Sequence, residues 1–259
     1  MTRVALITGG AQGIGAAVAR QFLRDGLKVV LLDRNAEKLA SLQKECGADK
    51  VETLAADLTD LATPKKAVDL AVQRFGRLDV LVNAAGNTER WSIDDVTPEA
   101  YQRMFDVNVR APIFLMHEAG KVMGKADTGV VINITSMLAH GGPPNIGIYA
   151  ASKAALVGMT KNAANAWKRK NIRAYAINLG WVNSDGEHAL QTRFHKMPED
   201  WAQRIGSRVP FGRLLVPEDV AGLCAFLLTP PALMMTGNVI DYEQMPMGTY
   251  DEYPPLARE

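Results

Sequence analysis

The sequence predicts an α/β fold: a three-layer, doubly wound sheet of about seven parallel strands with helices on both faces. Three observations carry the prediction. Short β-branched apolar runs alternate with helix-forming segments along the chain, as a parallel sheet with crossover helices requires. The first run stops at a glycine-rich turn before its helix. No linker, repeat or composition break divides the 259 residues, so one domain over 1–259 is expected, and 47% apolar against 22% charged residues suffices for a large core.

Taken in order, RVALIT (3–8) is a strand that ends at Gly9-Gly10, and IGAAVARQFLRDG is the helix after it. Glycines at 9, 13 and 15, with Gln12 and Ile14 between them, let the backbone approach a pyrophosphate. The helix N-terminus then supplies N–H groups and a positive dipole end; the bland alternative is a tight connection. LKVVLLD ends in Asp33, eighteen residues past Gly15, where an acidic group would accept hydrogen bonds from adenosine ribose hydroxyls and repel a 2′-phosphate. That favours NAD over NADP. Arg34 beside it would stack on adenine or attract the phosphate after all, and Asp33 would also serve as N-cap of the next helix.

The alternation continues with a strand KVETLAAD, carrying Asp57 and Leu58 at its end, a helix over 64–75, and a strand over 78–82. Asn83, Ala84, Ala85 and Gly86 follow, small residues against which a ring or ribose could lie. Thr97-Pro98-Glu99 opens a long helix that carries Asn108, with Pro112 just beyond. An amide in an apolar helix needs a partner, so Asn108 reads either as functional in a kinked helix or as a group that satisfies the kink. Residues 129–135 are the fifth strand and deliver Ser136; a Gly/Pro loop then leads to the helix of Tyr149 and Lys153. Residues 172–179 are the sixth strand. The polar stretch 184–211, without strand character, reads as a substrate loop or lid. A helix over 220–228, opened by Pro217-Glu218-Asp219, and a strand near 238–242 close the fold.

Tyr149 and Lys153 are four apart in a proline-free helical run and so share a face. A free phenol titrates near pKa ~10, and a fixed cation favours its phenolate, which makes a base of it. Six tyrosines and thirteen lysines would supply such a pair by chance about 0.3 times. The pair therefore takes its meaning from the cofactor turn upstream and from Ser136, placed to bond the same substrate oxygen.

A net charge of +1 and the lack of any dense Lys/Arg run argue against nucleic acid. Cys46 and Cys224 have neither Cys-x-x-Cys spacing nor a nearby histidine, so both read as reduced and no metal is expected. The first apolar run is too short for a signal peptide, and nothing approaches the ~20 apolar residues of a membrane span. A cytoplasmic protein is expected.

Together these residues resemble the short-chain dehydrogenase/reductase family, of the single-domain, Rossmann-type form, along the whole chain. The carrying motifs are Thr8-Gly9-x-x-x-Gly13-Ile14-Gly15, Asn83-Ala84-Ala85-Gly86, and the set Asn108, Ser136, Tyr149 and Lys153. The resemblance implies Tyr149 as acid/base and Lys153 as the residue lowering its pKa and holding the nicotinamide ribose. It implies Ser136 at the substrate oxygen, Asn108 holding a relay water, and a homotetramer. Asn178-Leu179-Gly180 departs from the family's Asn-Pro-Gly, while Gly180, Val182 and Ser184 still match positions beside the nicotinamide, Ser184 replacing a threonine.

The reading is an NAD-dependent oxidoreductase interconverting a secondary alcohol and a ketone. Around the mouth, Glu89, Arg90, Trp91, His140, Asn145, Glu187, His188 and His195 favour a sugar, polyol or other hydroxylated substrate, unless they merely solvate the rim. The chain's ending weakly resembles sugar-oxidising members. The alternatives are an NADP-dependent carbonyl reductase of a less polar ketone, and a non-catalytic dinucleotide sensor, which should have lost part of a tetrad that is here complete.

Overall fold

The computed structural model describes residues 2–247. Seven strands, β1 (Val4–Thr8), β2 (Lys28–Asp33), β3 (Val51–Ala55), β4 (Val80–Asn83), β5 (Gly129–Ser136), β6 (Ile172–Leu179) and β7 (Val239–Tyr242), form one sheet in the order β3-β2-β1-β4-β5-β6-β7. Every pairing is parallel. The five inner strands are almost wholly buried, which is why they read as continuous apolar runs, while the edge strands β3 and β7 are half-exposed. One face packs α1 (Gly13–Arg24), α2 (Ala36–Cys46) and α9 (Pro217–Phe226) through Val18, Phe22, Leu39, Val220 and Cys224. The other packs α3 (Thr63–Phe75), α5 (Ala111–Ala126) and α6 (Gly147–Trp167) through Val68, Leu115, Met123 and Leu156.

Several boundaries differ from the sequence reading, each for a local reason. β3 stops at Ala55 because the Asp57 carboxylate accepts the Thr59 N–H at 2.7 Å and turns the chain. β4 starts at Val80, since the Asp79 side chain accepts the Val4 N–H at 2.8 Å and is bound by Arg77. Asp33 does not cap α2: Asn35 does, accepting the Lys38 N–H at 2.9 Å.

The long helix expected around Asn108 is interrupted. It begins as α4 (Pro98–Phe105), widens into a π turn at Asp106–Arg110, and resumes as α5. In an α-helix residue 112 would donate to the carbonyl of residue 108; Pro112 has no N–H, and the ladder lengthens by one residue there. Asn108 lies fully buried inside this turn.

The stretch 184–211 is not a bare loop. It holds α7 (Asp185–Ala189), a π turn at Leu190–Phe194 and α8 (Trp201–Gly206). Its base is stapled where the Asn183 N–H donates to the Leu215 carbonyl at 2.7 Å and the Leu215 N–H to the Trp181 carbonyl at 3.2 Å. Trp201 is fully buried beneath Trp181, ring centroids 5.2 Å apart. This excursion approaches the glycine turn after β1, the Ser184 side chain standing 3.7 Å from the Cβ position of Gly13.

Cys46 and Cys224 are both free, as expected. Among the described residues, no helix is long and apolar enough to cross a membrane, and no cluster of His, Cys, Asp and Glu could hold a metal.

Candidate active site

β1 lies between β2 and β4, the point in a doubly wound sheet where the connections diverge and a crevice opens. Gly9 and Gly13 there take positive φ, +65° and +53°. A Cβ on Gly15 would lie 2.2 Å from the Gly9 carbonyl oxygen, and one on Gly9 would lie 3.0 Å from the Ala85 backbone. The first turn of α1 thus sits directly on the glycine turn, and the loop after β4 sits against it. Thr8 joins the two, its Oγ1 accepting from the Ala84 and Ala85 N–H groups at 3.1 Å each. Gln12 leads into α1 in an extended conformation and its Oε1 receives the Lys38 ammonium. Such a cradle, lined by backbone at a helix N-terminus, fits the pyrophosphate of a dinucleotide.

Asp33 stands at the tip of β2, Oδ2 accepting from the Ala11 N–H at 3.2 Å and Oδ1 from the Asn35 N–H at 3.0 Å. These bonds aim an anionic group at the crevice, and Arg34 is exposed beside it. Asp57 is held below its usual range, first by its bonds to Thr59 and also by the Arg34 charge. Arg34 and Asp57 therefore flank one edge of the crevice.

Four of the positions expected at the cofactor have side chains packed against or bonded to the protein. The Asn83 amide faces the interior, donating to Asn133 Oδ1 at 2.7 Å, and Asn133 donates to Thr160 Oγ1 at 2.8 Å. Ile14 and Val182 pack into the core, as does Leu58 on the opposite face. Gly180 carries Glu243 against it, where a Cβ would lie 1.9 Å from Glu243 Oε2, and Gly86 stands where a Cβ would be 3.6 Å from Lys153 Nζ. The Ser184 hydroxyl caps α7, accepting the Glu187 N–H at 3.3 Å, and the same side chain stands 3.7 Å from the Cβ position of Gly13 across the cleft.

Ser136, Tyr149 and Lys153 come together. Ser136 ends β5, its Oγ accepting the Leu138 N–H at 3.2 Å as the chain turns into a short 3-10 helix, and it hydrogen-bonds the Tyr149 phenol. Lys153 lies one helical turn after Tyr149, almost fully buried. Its ammonium donates to the Ile134 carbonyl at 2.9 Å and sits 5.6 Å from the Tyr149 ring centroid. The expectation that the lysine pulls the phenol down is not met in this arrangement. Burial pushes Tyr149 up to about 12; the Ser136 bond opposes that, and the Glu187 charge adds to it. Burial likewise brings Lys153 down to about 8.

Asn108 is close by, but its side chain is fully engaged. Oδ1 accepts the Asn87 N–H at 2.7 Å, while Nδ2 donates to the Asn87 carbonyl at 2.9 Å and to Ser152 Oγ at 3.0 Å. It clamps the loop after β4, so a relay water would need an atom other than this amide. Ser152, which the sequence reading missed, completes the clamp by donating to the Tyr149 carbonyl at 2.7 Å; a serine in a helical run carries no signal of that task.

The expected rim residues divide. Glu187 faces Tyr149 closely enough to perturb it. Asn145 is exposed on the loop before α6, and Arg90 keeps a buried Nε without a partner. His140 turns away toward β7, its Nε2 3.3 Å from Asp241 and 3.2 Å from Asn178 Nδ2. His188 is built into the excursion: Nδ1 accepts from Trp201 at 3.2 Å, so Nε2 carries the proton toward Glu199 at 2.9 Å. Both ring nitrogens of His188 are thus engaged within the protein, as is Nε2 of His140. Glu89 contacts Trp91 and Arg103 on the surface, and His195 is exposed.

Fold and site define a dehydrogenase that works with a nicotinamide dinucleotide, and comparison with known proteins agrees. A family model described as enoyl-(acyl carrier protein) reductase matches residues 9–243. Galactitol 2-dehydrogenase of Agrobacterium fabrum is 35% identical over 247 residues, covering 92% of this chain and 95% of that one. Among solved structures, the NADPH-dependent reductase YwfH of bacilysin biosynthesis superposes with a TM-score of 0.88 at 26% identity, covering 96% of this chain and 100% of that one. An NAD+-bound xylitol dehydrogenase superposes at 0.84 and 27% identity, covering 92% and 96%. The chain belongs to the short-chain dehydrogenase/reductase family, whose members here are oxidoreductases acting on CH–OH groups.

Two outcomes follow from this geometry. Gly15→Ala places a methyl on the Gly9 carbonyl, and NADH affinity, followed by fluorescence titration, should fall at least ~10-fold; unchanged affinity contradicts the cradle. Because Lys153 titrates near 8 when folded and 10.5 when free, the unfolded chain binds the extra proton between those values. Stability of the wild type relative to Lys153→Met should therefore rise across that window, by up to about 3 kcal/mol. Denaturant titrations at pH 7 and pH 10.5 measure it, and parallel pH curves for the two proteins count against the buried ammonium.

Proposed function

We propose that this protein is an NAD-dependent oxidoreductase interconverting a secondary alcohol and a ketone, with a sugar, polyol or other hydroxylated small molecule as substrate. The observation that carries the reading is the convergence of Ser136, Tyr149 and Lys153 beside Gly86 at the mouth of a glycine-lined crevice. One domain over 1–259, with 184–211 inserted as the substrate cover, goes with it.

A nicotinamide ring, when bound, supplies the hydride acceptor or donor. Tyr149 exchanges the proton of the substrate oxygen, and Ser136, already bonded to the phenol, holds that oxygen for the transfer. Lys153 provides a positive charge within about one ring's width of the phenol in a nearly dry setting, where charge acts strongly. Asn108 positions the loop at Gly86 and Asn87 by clamping its backbone. NAD is favoured because the oriented carboxylate of Asp33 suits a 2′-hydroxyl and opposes a 2′-phosphate. A second reading, NADP, is supported by the exposed Arg34 next to it and by the NADPH dependence in the name of one structural neighbour. The polar substrate is supported by the polyol names of the galactitol and xylitol relatives.

Tyr149→Phe should lower the turnover of alcohol oxidation by roughly 10²- to 10⁴-fold while changing the NADH dissociation constant less than about threefold. Undiminished turnover sinks the acid/base assignment, and tighter binding of NADPH than NADH in the same titration favours the second cofactor reading. A cytoplasmic homotetramer belongs to this proposal; light scattering should report about four chains, and a monomeric mass contradicts it.

A further inference from the structure

Glu187 is held in a way that lid stability does not account for. It lies on α7, which faces the cofactor turn across the cleft mouth through Ser184 and Gly13. Its two oxygens differ. Oε1 accepts from Trp181 Nε1 at 2.8 Å and from Gln191 Nε2 at 2.7 Å, whereas Oε2 accepts no bond among the described residues. Both donors are fixed by packing: Gln191 is 4% exposed, and Trp181 stacks on the buried Trp201. Among the described residues no cation pairs with the carboxylate. A half-buried, oriented charge without a counter-ion weakens a fold unless something binds it.

An ionised carboxylate only accepts hydrogen bonds. Its free oxygen suits a hydroxyl donor, leaves an alkyl group unable to satisfy it, and repels another anion. We infer that Glu187 reads a hydroxyl neighbouring the reacting carbinol, so that the substrate is a neutral vicinal diol or polyol rather than a simple alcohol or an acidic sugar. The inference rests on the alcohol-dehydrogenase reading above and narrows its substrate. The Glu187 N–H is held by Ser184, whose side chain stands 3.7 Å from the Cβ position of Gly13, and the neighbouring Gly186 faces Gln12, which puts the residue on the side of the excursion that meets the cofactor turn. Trp181 and Gln191 are positioning residues that act through Glu187.

The test is steady-state kinetics with NAD on three alcohols: a hexitol, hexan-2-ol and the corresponding hexonate. In the wild type kcat/KM should be highest for the hexitol. Glu187→Gln should lower the ratio of kcat/KM for the hexitol over hexan-2-ol by about 10- to 100-fold, mostly through KM, and should narrow the gap between hexitol and hexonate. A negative charge disfavours the phenolate, so its removal should also move the rise of kcat/KM with pH toward lower pH. Trp181→Phe, which keeps the stacked ring and removes one donor, should shift the ratio the same way but less. The Tm and the NADH dissociation constant report whether either variant is merely misfolded. Equal losses on hexitol and hexan-2-ol, or an unmoved pH profile, overturn the inference. A wild type that oxidises hexan-2-ol but no hexitol overturns it together with the polyol reading, whereas a hexitol preference that Glu187→Gln leaves intact overturns the inference alone.

Discussion

The site depends on how closely two pieces of backbone approach each other at the end of β1. Gly15 in the first turn of α1 rests on the Gly9 carbonyl with no room for a methyl group, and Gly9 rests on Ala85 in the loop after β4. These contacts exist because β1 is the strand whose neighbours, β2 and β4, belong to opposite halves of the sheet. Thr8 ties the loop after β4 to β1, and Gly86 further along it stands beside Lys153. A side chain at Gly9, Gly13 or Gly15 would strain the turn or displace a neighbour.

Around that crevice the charges are held by geometry more than by pairing. Lys153 is surrounded by protein and bonded to one strand carbonyl; the Tyr149 phenol is pushed upward by the same dryness. Burial disfavours the charged form of each, so the phenol holds its proton more firmly while the ammonium gives one up more readily. Asp33 at the tip of β2 and Glu187 on α7 carry negative charges oriented by hydrogen bonds, from the Ala11 and Asn35 N–H groups in one case and from Trp181 and Gln191 in the other.

The strands and most helices were legible because they follow from local rules: β-branched runs, a glycine turn, a proline at a helix start. Tyr149 and Lys153 were legible because helix periodicity alone puts them on one face. What was not legible rests on partners far away in sequence. The Asn83 amide looks like a crevice group until Asn133, fifty residues on, is found beneath it. The sequence shows that the Asn108 amide needs a partner but not which one, and the π turn delivers it to the backbone of Asn87, twenty-one residues back. His188 reads as a substrate ligand, and Glu199 and Trp201 engage both its ring nitrogens, while Asp241 and Asn178 engage one nitrogen of His140. The order inside 184–211 escaped notice because its segments are short and polar, and their anchor, the Trp181–Trp201 stack, spans the excursion.

The central claim is that Ser136, Tyr149 and Lys153 serve a direct hydride transfer at this crevice. The most direct measurement uses a polyol carrying deuterium on its carbinol carbons, incubated with the protein and NAD in ordinary water, followed by mass analysis of the reduced nicotinamide. The account predicts one deuterium on each molecule of NADH formed and a slowed rate when hydride transfer limits turnover. NADH that contains no deuterium, or ketone that forms without reduced nicotinamide, would contradict it.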